Sequence, residues 1–183
     1  MLDLISIGEC LIELSSDKPL ADSEIFHKSY AGDTFNVISM ASTLGVSSGY
    51  ITRVGEDPFA EYLISNWRNK LIDTSQVKLV PGYNSMHFIS LLPDGNREFV
   101  YYRKNSAAST LCKEDIKEEF ISKSKILHLS SICQAVSESA NESIIHAAHI
   151  AKNNHVKVSF DTNLRLNLTS SEKALSNINR ILP

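Results

Sequence analysis

The sequence predicts an α/β fold: a mostly parallel sheet covered by helices, with a small antiparallel sheet projecting from it. Three observations carry that expectation. Short apolar runs rich in Ile, Val and Leu alternate along the chain with segments of helical period. There is no internal repeat and no low-complexity linker. Two stretches, "CLIELS" and "SMHFISLLPDGNREFVYYR", fall outside the alternating rhythm and have the character of paired strands.

The elements follow in order. Residues 2–8, "LDLISIG", read as a buried strand ending at Gly8. Residues 33–45 read as a helix with Asp33 as N-cap and Gly45 as its stop. "YITRVG" is a second strand, and residues 56–70 form a second helix, with Asp57 and Pro58 at the cap and first helical positions. In residues 85–103 two strands flank Pro93-Asp94-Gly95-Asn96, which has the composition of a hairpin turn. "KILHLSS" is the next buried strand, residues 137–153 a helix, "HVKVSFD" a strand and residues 170–182 a final helix.

Composition narrows the function. A chain of 183 residues, 43% hydrophobic, buries one core. A net charge of -3 without a basic run argues against a nucleic-acid groove or a membrane surface, and favours a small solute as partner. Cys10, Cys112 and Cys133 are far apart, with no C-x-x-C pair. The N-terminus lacks the pattern of a signal peptide and no run is long enough to span a bilayer, so a cytoplasmic protein is expected.

In an open parallel sheet, ligands bind beyond the carboxyl ends of the strands. Gly8, Glu9, Arg53, Gly55, Ser130, Ser131 and residues 161–165 fall there. In "YAGDTFN", Gly32 lets the backbone turn tightly into a helix whose N-terminus suits hydroxyls or an anion; the plainer reading is an ordinary Gly-Asp helix start. In "FVYYRK", alternation puts Phe99, Tyr101 and Arg103 on one face, where a phenol and a guanidinium suit a hydroxyl beside a carboxylate. The same pair also fits a solvated hairpin edge. In "DTNLR", Asp161 and Asn163 are turn formers or ligands, and Arg165 is the best candidate to hold an anion. Glu142, His146 and His149 share a helical face with metal-ligand spacing, but opposite an apolar face they read as the solvated side. Neither a Walker phosphate loop nor a G-x-G-x-x-G fingerprint occurs.

Taken together, "ISIGECLIELS", "AGDTFNV", "RVGEDPFAEYL", "IDTSQV", "FVYYRKNSAAS" and "FDTNLR" resemble the N-terminal portion of PfkB-family (ribokinase-like) carbohydrate kinases, and most closely their 2-keto-3-deoxygluconate kinase branch. The resemblance implies a three-layer core with a β lid built from residues of about 10–30 and 83–103. It implies transfer of the ATP γ-phosphoryl group to a sugar hydroxyl with Mg²⁺. Gly32, Asp33 and Asn36 then match sugar contacts, Tyr101 and Arg103 lid residues reaching the substrate, and Arg165 the arginine near the reacting end. His87 stands where sugar-acid kinases typically carry tyrosine, and Leu166-Asn167-Leu168-Thr169 where they often read Pro-x-Leu-Trp. The family's Asn-x-x-Glu and Gly-Ala-Gly-Asp stretches, the second holding its catalytic base, do not occur in these 183 residues. The implied partners are a sugar or sugar acid, ATP, and further copies meeting through the lid, with no nucleic acid or membrane. The chain alone is expected to be inactive, and to self-associate through a bare strand edge. Two other readings stand beside this one: a fructokinase or other sugar kinase of the family, and a non-catalytic remnant that binds a sugar or a partner subunit.

Overall fold

A computed structural model describes residues 1–92 and 95–182. In chain order its strands and helices are β1 (Leu2–Ile7), β2 (Leu11–Ser16), β3 (His27–Ala31), α1 (Asp33–Thr43), β4 (Ser48–Gly55), α2 (Ala60–Asn69), β5 (Ile72–Asp73) and β6 (Val77–Val80). They continue with β7 (Met86–Leu91), β8 (Arg97–Tyr102), α3 (Glu118–Ile121), β9 (Ser124–Ser130), α4 (Ser131–Val136), α5 (Glu138–Asn153), β10 (Lys157–Asp161) and α6 (Ser171–Asn179).

The core sheet has the order β10-β9-β1-β4-β5, with β6 also on β4, and every pairing in it is parallel. Each strand therefore needs apolar cover on both faces. On one face α1 and α2 pack Phe35, Ile38, Leu63 and Trp67 around Tyr50 of β4. On the other, α5 lays Ala140, Ile144, Ala147 and Ala151 against Ile5, Ile51, Leu127 and Leu129. The result is three layers. α5 starts where Ser137 accepts a hydrogen bond from the Ala140 amide at 3.1 Å. Among the described residues no helix is long and apolar enough to cross a membrane.

Three local expectations need correction. The N-cap of α1 is Gly32, not Asp33, which is the first helical residue and makes no capping bond. Nor does Gly32 serve a tight turn: its φ of -174° is extended backbone. It is glycine for lack of space, because a Cβ there would stand 2.2 Å from the Glu9 carbonyl oxygen. Gly45, at φ 85°, does end α1 as expected. α2 begins at Ala60 with Phe59 as cap, while Asp57 shapes the turn before it, accepting from the Phe59 amide at 2.8 Å.

The second sheet has the order β3-β2-β7-β8. It is mixed rather than antiparallel: β2 runs parallel to β7, while β2–β3 and β7–β8 are antiparallel. The cause is connectivity, since β2 follows directly from β1 and β7 follows β6, and both leave the same end of a parallel core sheet. Of the hairpin turn, Pro93 and Asp94 lie outside the described residues; Gly95 takes φ 83° and donates to the Leu92 carbonyl at 2.9 Å. At the other extreme, β10 stands at the edge of the core sheet with Val158 exposed.

Asn84, 3% exposed, joins the two sheets. Its side chain behaves as a short strand partner for Gly55, accepting from the amide at 3.0 Å and donating to the carbonyl at 3.1 Å. It also donates to Asp57 Oδ1 at 2.7 Å. Gly55 has no room for a side chain, since a Cβ would lie 2.6 Å from the Tyr83 carbonyl carbon. Asn84→Ala leaves buried backbone groups unpaired and is expected to lower the unfolding free energy by about 2 to 3 kcal/mol, measured by urea denaturation. A loss within about 0.5 kcal/mol would show that the freed backbone groups find other partners and that Asn84 is not the tie between the sheets.

Candidate functional site

Between the carboxyl ends of the core strands and the inner face of the second sheet lies a cavity of about 370 Å³. Gly32, Asp33 and Asn36 border it from the start of α1, and Arg165 from the loop after β10. His87, Tyr101 and Arg103 border it from the second sheet. These seven residues, the ones the family resemblance pointed to, thus meet around one space.

Local structure places each of them. Asn36 Oδ1 accepts from the Gly32 amide at 3.4 Å, engaging one of the amides at the helix start and fixing the Asn36 side chain there. Asp33 Oδ2 is buried and has no hydrogen-bond partner among the described residues, which makes it a carboxylate oxygen suited to a hydroxyl. In the second sheet, alternation sends Phe99, Tyr101 and Arg103 to the cavity side together. Arg165 is exposed, and its loop is fastened by Ser131, whose hydroxyl donates to the Asn163 carbonyl at 3.0 Å.

Glu9, at the end of β1, is 3% exposed. It forms an ion pair with Arg103 and accepts from the Ser85 hydroxyl at 2.9 Å. Burial raises its carboxyl above the usual carboxylate range; the Arg103 charge and the Ser85 hydrogen bond oppose that shift without cancelling it.

Not every strand-end candidate belongs to the cavity. Arg53 turns to Asp115, with Nε 2.6 Å from Oδ2 and a terminal nitrogen 3.1 Å from Oδ1. This bidentate pair, with Lys78 at 3.2 Å, holds the Asp115 carboxyl below its usual range despite its burial. Ser130 caps α4 by accepting from the Ile132 amide at 3.1 Å. Glu142, on the helical face considered for metal, is engaged by Lys113 at 3.1 Å and Arg180 at 2.7 Å. Conversely, Glu13 and Arg97 border the cavity and were not singled out. The period-2 pattern of "CLIELS" puts Leu11 and Glu13 on one face, which was the available signal for Glu13. The cavity wall therefore combines three guanidinium groups, from Arg97, Arg103 and Arg165, with the carboxylates of Asp33 and Glu13. Such a mixture suits a polyhydroxy molecule that carries a negative charge.

Comparison with known proteins agrees with this architecture. The family described as pfkB family carbohydrate kinase matches residues 1–183. The chain is 33% identical over 170 residues to 2-dehydro-3-deoxygluconokinase of Thermoproteus tenax, covering 90% of this chain and 51% of that protein. It is 31% identical over 173 residues to a fructokinase of Solanum tuberosum, covering 92% and 54%. A crystal structure of a sugar kinase from Pyrococcus horikoshii in complex with ATP superposes with a TM-score of 0.87 at 30% identity, covering 97% of this chain and 59% of that one. The chain spans about half the length of the curated relatives it matches.

The buried Glu9 carboxyl makes a pH-dependent prediction. Its folded pKa is raised, so as pH rises from the ordinary carboxylate range through the folded value, the native state holds more protons than the unfolded one and stability falls. Below that window Glu9 is neutral and needs no cation. Arg103→Met is therefore expected to lower the melting temperature more at pH 7.5 than at pH 4.5, by thermal denaturation at both. An equal deficit at the two pH values would mean that Arg103 contributes packing rather than charge.

Proposed function

The chain belongs to the pfkB family of carbohydrate kinases, and from that premise we propose that its 183 residues form the sugar-binding part of a kinase for the sugar acid 2-keto-3-deoxygluconate. The observation that carries the substrate class is the cluster of Arg97, Arg103 and Arg165 around one cavity. Arg103 is shared with Glu9, but a neutral sugar offers no anion to any of these guanidinium groups, whereas a sugar acid offers a carboxylate.

In this reading the hydroxyls of the substrate meet Asp33, Asn36 and the amides at the start of α1. The second sheet acts as a lid, with Tyr101 and Arg103 reaching down from it. Phosphoryl transfer depends on positioning and charge stabilisation, in a site from which water is excluded. Arg165, exposed on the loop after β10 at the cavity border, would in this reading stabilise charge on the transferred group. ATP, bound in the Pyrococcus relative, is the proposed phosphoryl donor, and Mg²⁺ its metal. When bound, Mg²⁺ would neutralise phosphate charge. Among the described residues no group of three or more His, Cys, Asp or Glu side chains is placed to hold a metal ion, so no residue of this chain is assigned to it. Phosphate transfer is assigned to the longer enzyme, with a base outside these residues; a cytoplasmic location and pairing of copies through the lid complete the proposal. A second reading, a kinase for fructose, has the Solanum relative in its favour.

The two readings separate on Arg103. Arg103→Lys keeps the positive charge beside Glu9 but replaces a planar fork with a point charge. It is expected to weaken calorimetric binding of 2-keto-3-deoxygluconate by about 1 to 3 kcal/mol and to affect fructose less. Equal losses for both would remove the reason to prefer the acid.

A further inference from the structure

We propose that Arg97 is the capture residue of this crevice: it draws an anionic sugar in at the outer end and speeds binding without touching the bound ligand. The inference rests on the sugar-acid reading above and adds to it a route of entry.

The second sheet has a near end and a far end. At the near end the rung of Met86 and Tyr102 adjoins Ser85 and Arg103, which meet the buried Glu9. At the far end the rung of Leu91 and Arg97 adjoins the hairpin turn. β8 is an edge strand, exposed along its whole length. Arg97, Phe99, Tyr101 and Arg103 follow one another along one side of it, and all four border the cavity. Six residues of extended chain put Arg97 about 20 Å from Arg103. Side chains on one face of a strand stand roughly parallel, so the two guanidinium groups do not converge. A six-carbon acid, about 6 Å long with a hydrogen bond of about 3 Å at each end, does not reach both.

The two arginines also differ in their surroundings. The Arg103 side chain is 14% exposed and its charge is answered by Glu9. Arg97 is exposed and takes part in no ion pair among the described residues. The described acids along the sheet do not cancel it. Glu98 alternates to the opposite face, where it accepts from the Leu20 amide and the Ser90 hydroxyl, each at 2.9 Å. Glu13 borders the cavity but sits on the Tyr101 rung, about 13 Å further in. The chain carries a net charge of -3, so an approaching anion gains no attraction from the molecule as a whole. An exposed, uncompensated cation at the outer end of a crevice raises the rate of encounter, whereas a contact made in the bound state slows release. Arg97 and Arg103 divide those two tasks.

The test follows binding of 2-keto-3-deoxygluconate and of fructose to the 183-residue chain by NMR line-shape titration, which reads association and dissociation rates separately. Each titration is run in about 0.01 M salt, where charges are screened over about 30 Å, and in about 1 M salt, where they are screened over about 3 Å. Arg97→Gln is expected to slow association of the acid about threefold at low salt, to leave its dissociation unchanged, and to have no effect at high salt. Fructose is expected to bind and leave at unchanged rates. Arg97→Lys is expected to match the unsubstituted chain, because steering needs a charge and not a planar fork. Faster dissociation of the acid with unchanged association would make Arg97 a contact of the bound ligand and overturn the proposal. So would no change in either rate, an equal change for fructose, or a loss in Arg97→Lys as large as in Arg97→Gln. In each of these cases binding of the acid by the unsubstituted chain leaves the sugar-acid reading standing. An unsubstituted chain that binds fructose and not the acid, or binds neither, overturns both. Should Arg97→Gln unfold, Arg97→Thr, a better strand former, is held to the same outcomes.

Discussion

A carboxylate cannot be buried alone, and Glu9 is buried. Removing its charge from water without compensation would cost several kcal/mol. The compensation comes from another part of the fold, through Ser85 and Arg103, which stand just before β7 and just after β8 on one strand pair of the second sheet. The position of that sheet over the crevice thus follows from the charge at the end of β1. Asn84 repeats the arrangement one strand over, closing on the backbone of Gly55 at the end of β4. Two neighbouring core strands are each tied to β7 or β8 by buried polar contacts, and the cavity is the space those ties enclose.

The chemistry of the cavity follows from which faces the ties leave inward. Strand alternation gives the inner face Glu13 from β2, His87 from β7 and Arg97 and Tyr101 from β8, with Arg103 just beyond its end. The core contributes Asp33, one of whose buried oxygens meets no partner among the described residues, and the exposed Arg165. Arg103 shares its charge with the buried Glu9, while no ion pair among the described residues joins Arg97 or Arg165 to Asp33 or Glu13. An anion and a hydroxyl in the same ligand answer that separation better than either alone.

The order of layers was readable because parallel strands buried on both faces announce themselves as apolar runs, as in "LDLISIG" and "KILHLSS", and "HVKVSFD" keeps enough of that pattern although β10 is exposed at the edge. The face of Tyr101 and Arg103 was readable for a similar reason, since period-2 alternation needs no tertiary knowledge. What escaped was set by long-range geometry. β3 and β6, "HKSYA" and "VKLV", are short and half exposed, and become strands only because β2 and β4 offer them an edge. Asp33 and Asp57 have capping chemistry, yet the space beside Glu9 and the contacts of Asn84 decide what they do. Arg53 looked like a crevice residue by position, but Asp115, distant in sequence, holds it elsewhere. Glu13 went unnoticed because its partners Ser29 and His87 are contributed by strands whose pairing no local pattern reveals.

The most direct measurement is a crystal structure of the chain with 2-keto-3-deoxygluconate bound. The ligand carboxylate is expected within about 3 Å of a guanidinium nitrogen of Arg103 or Arg165, inside the cavity between the two sheets. A ligand bound outside that cavity, or one whose carboxylate points away from every arginine of its wall, would contradict the assignment of this site to a sugar acid.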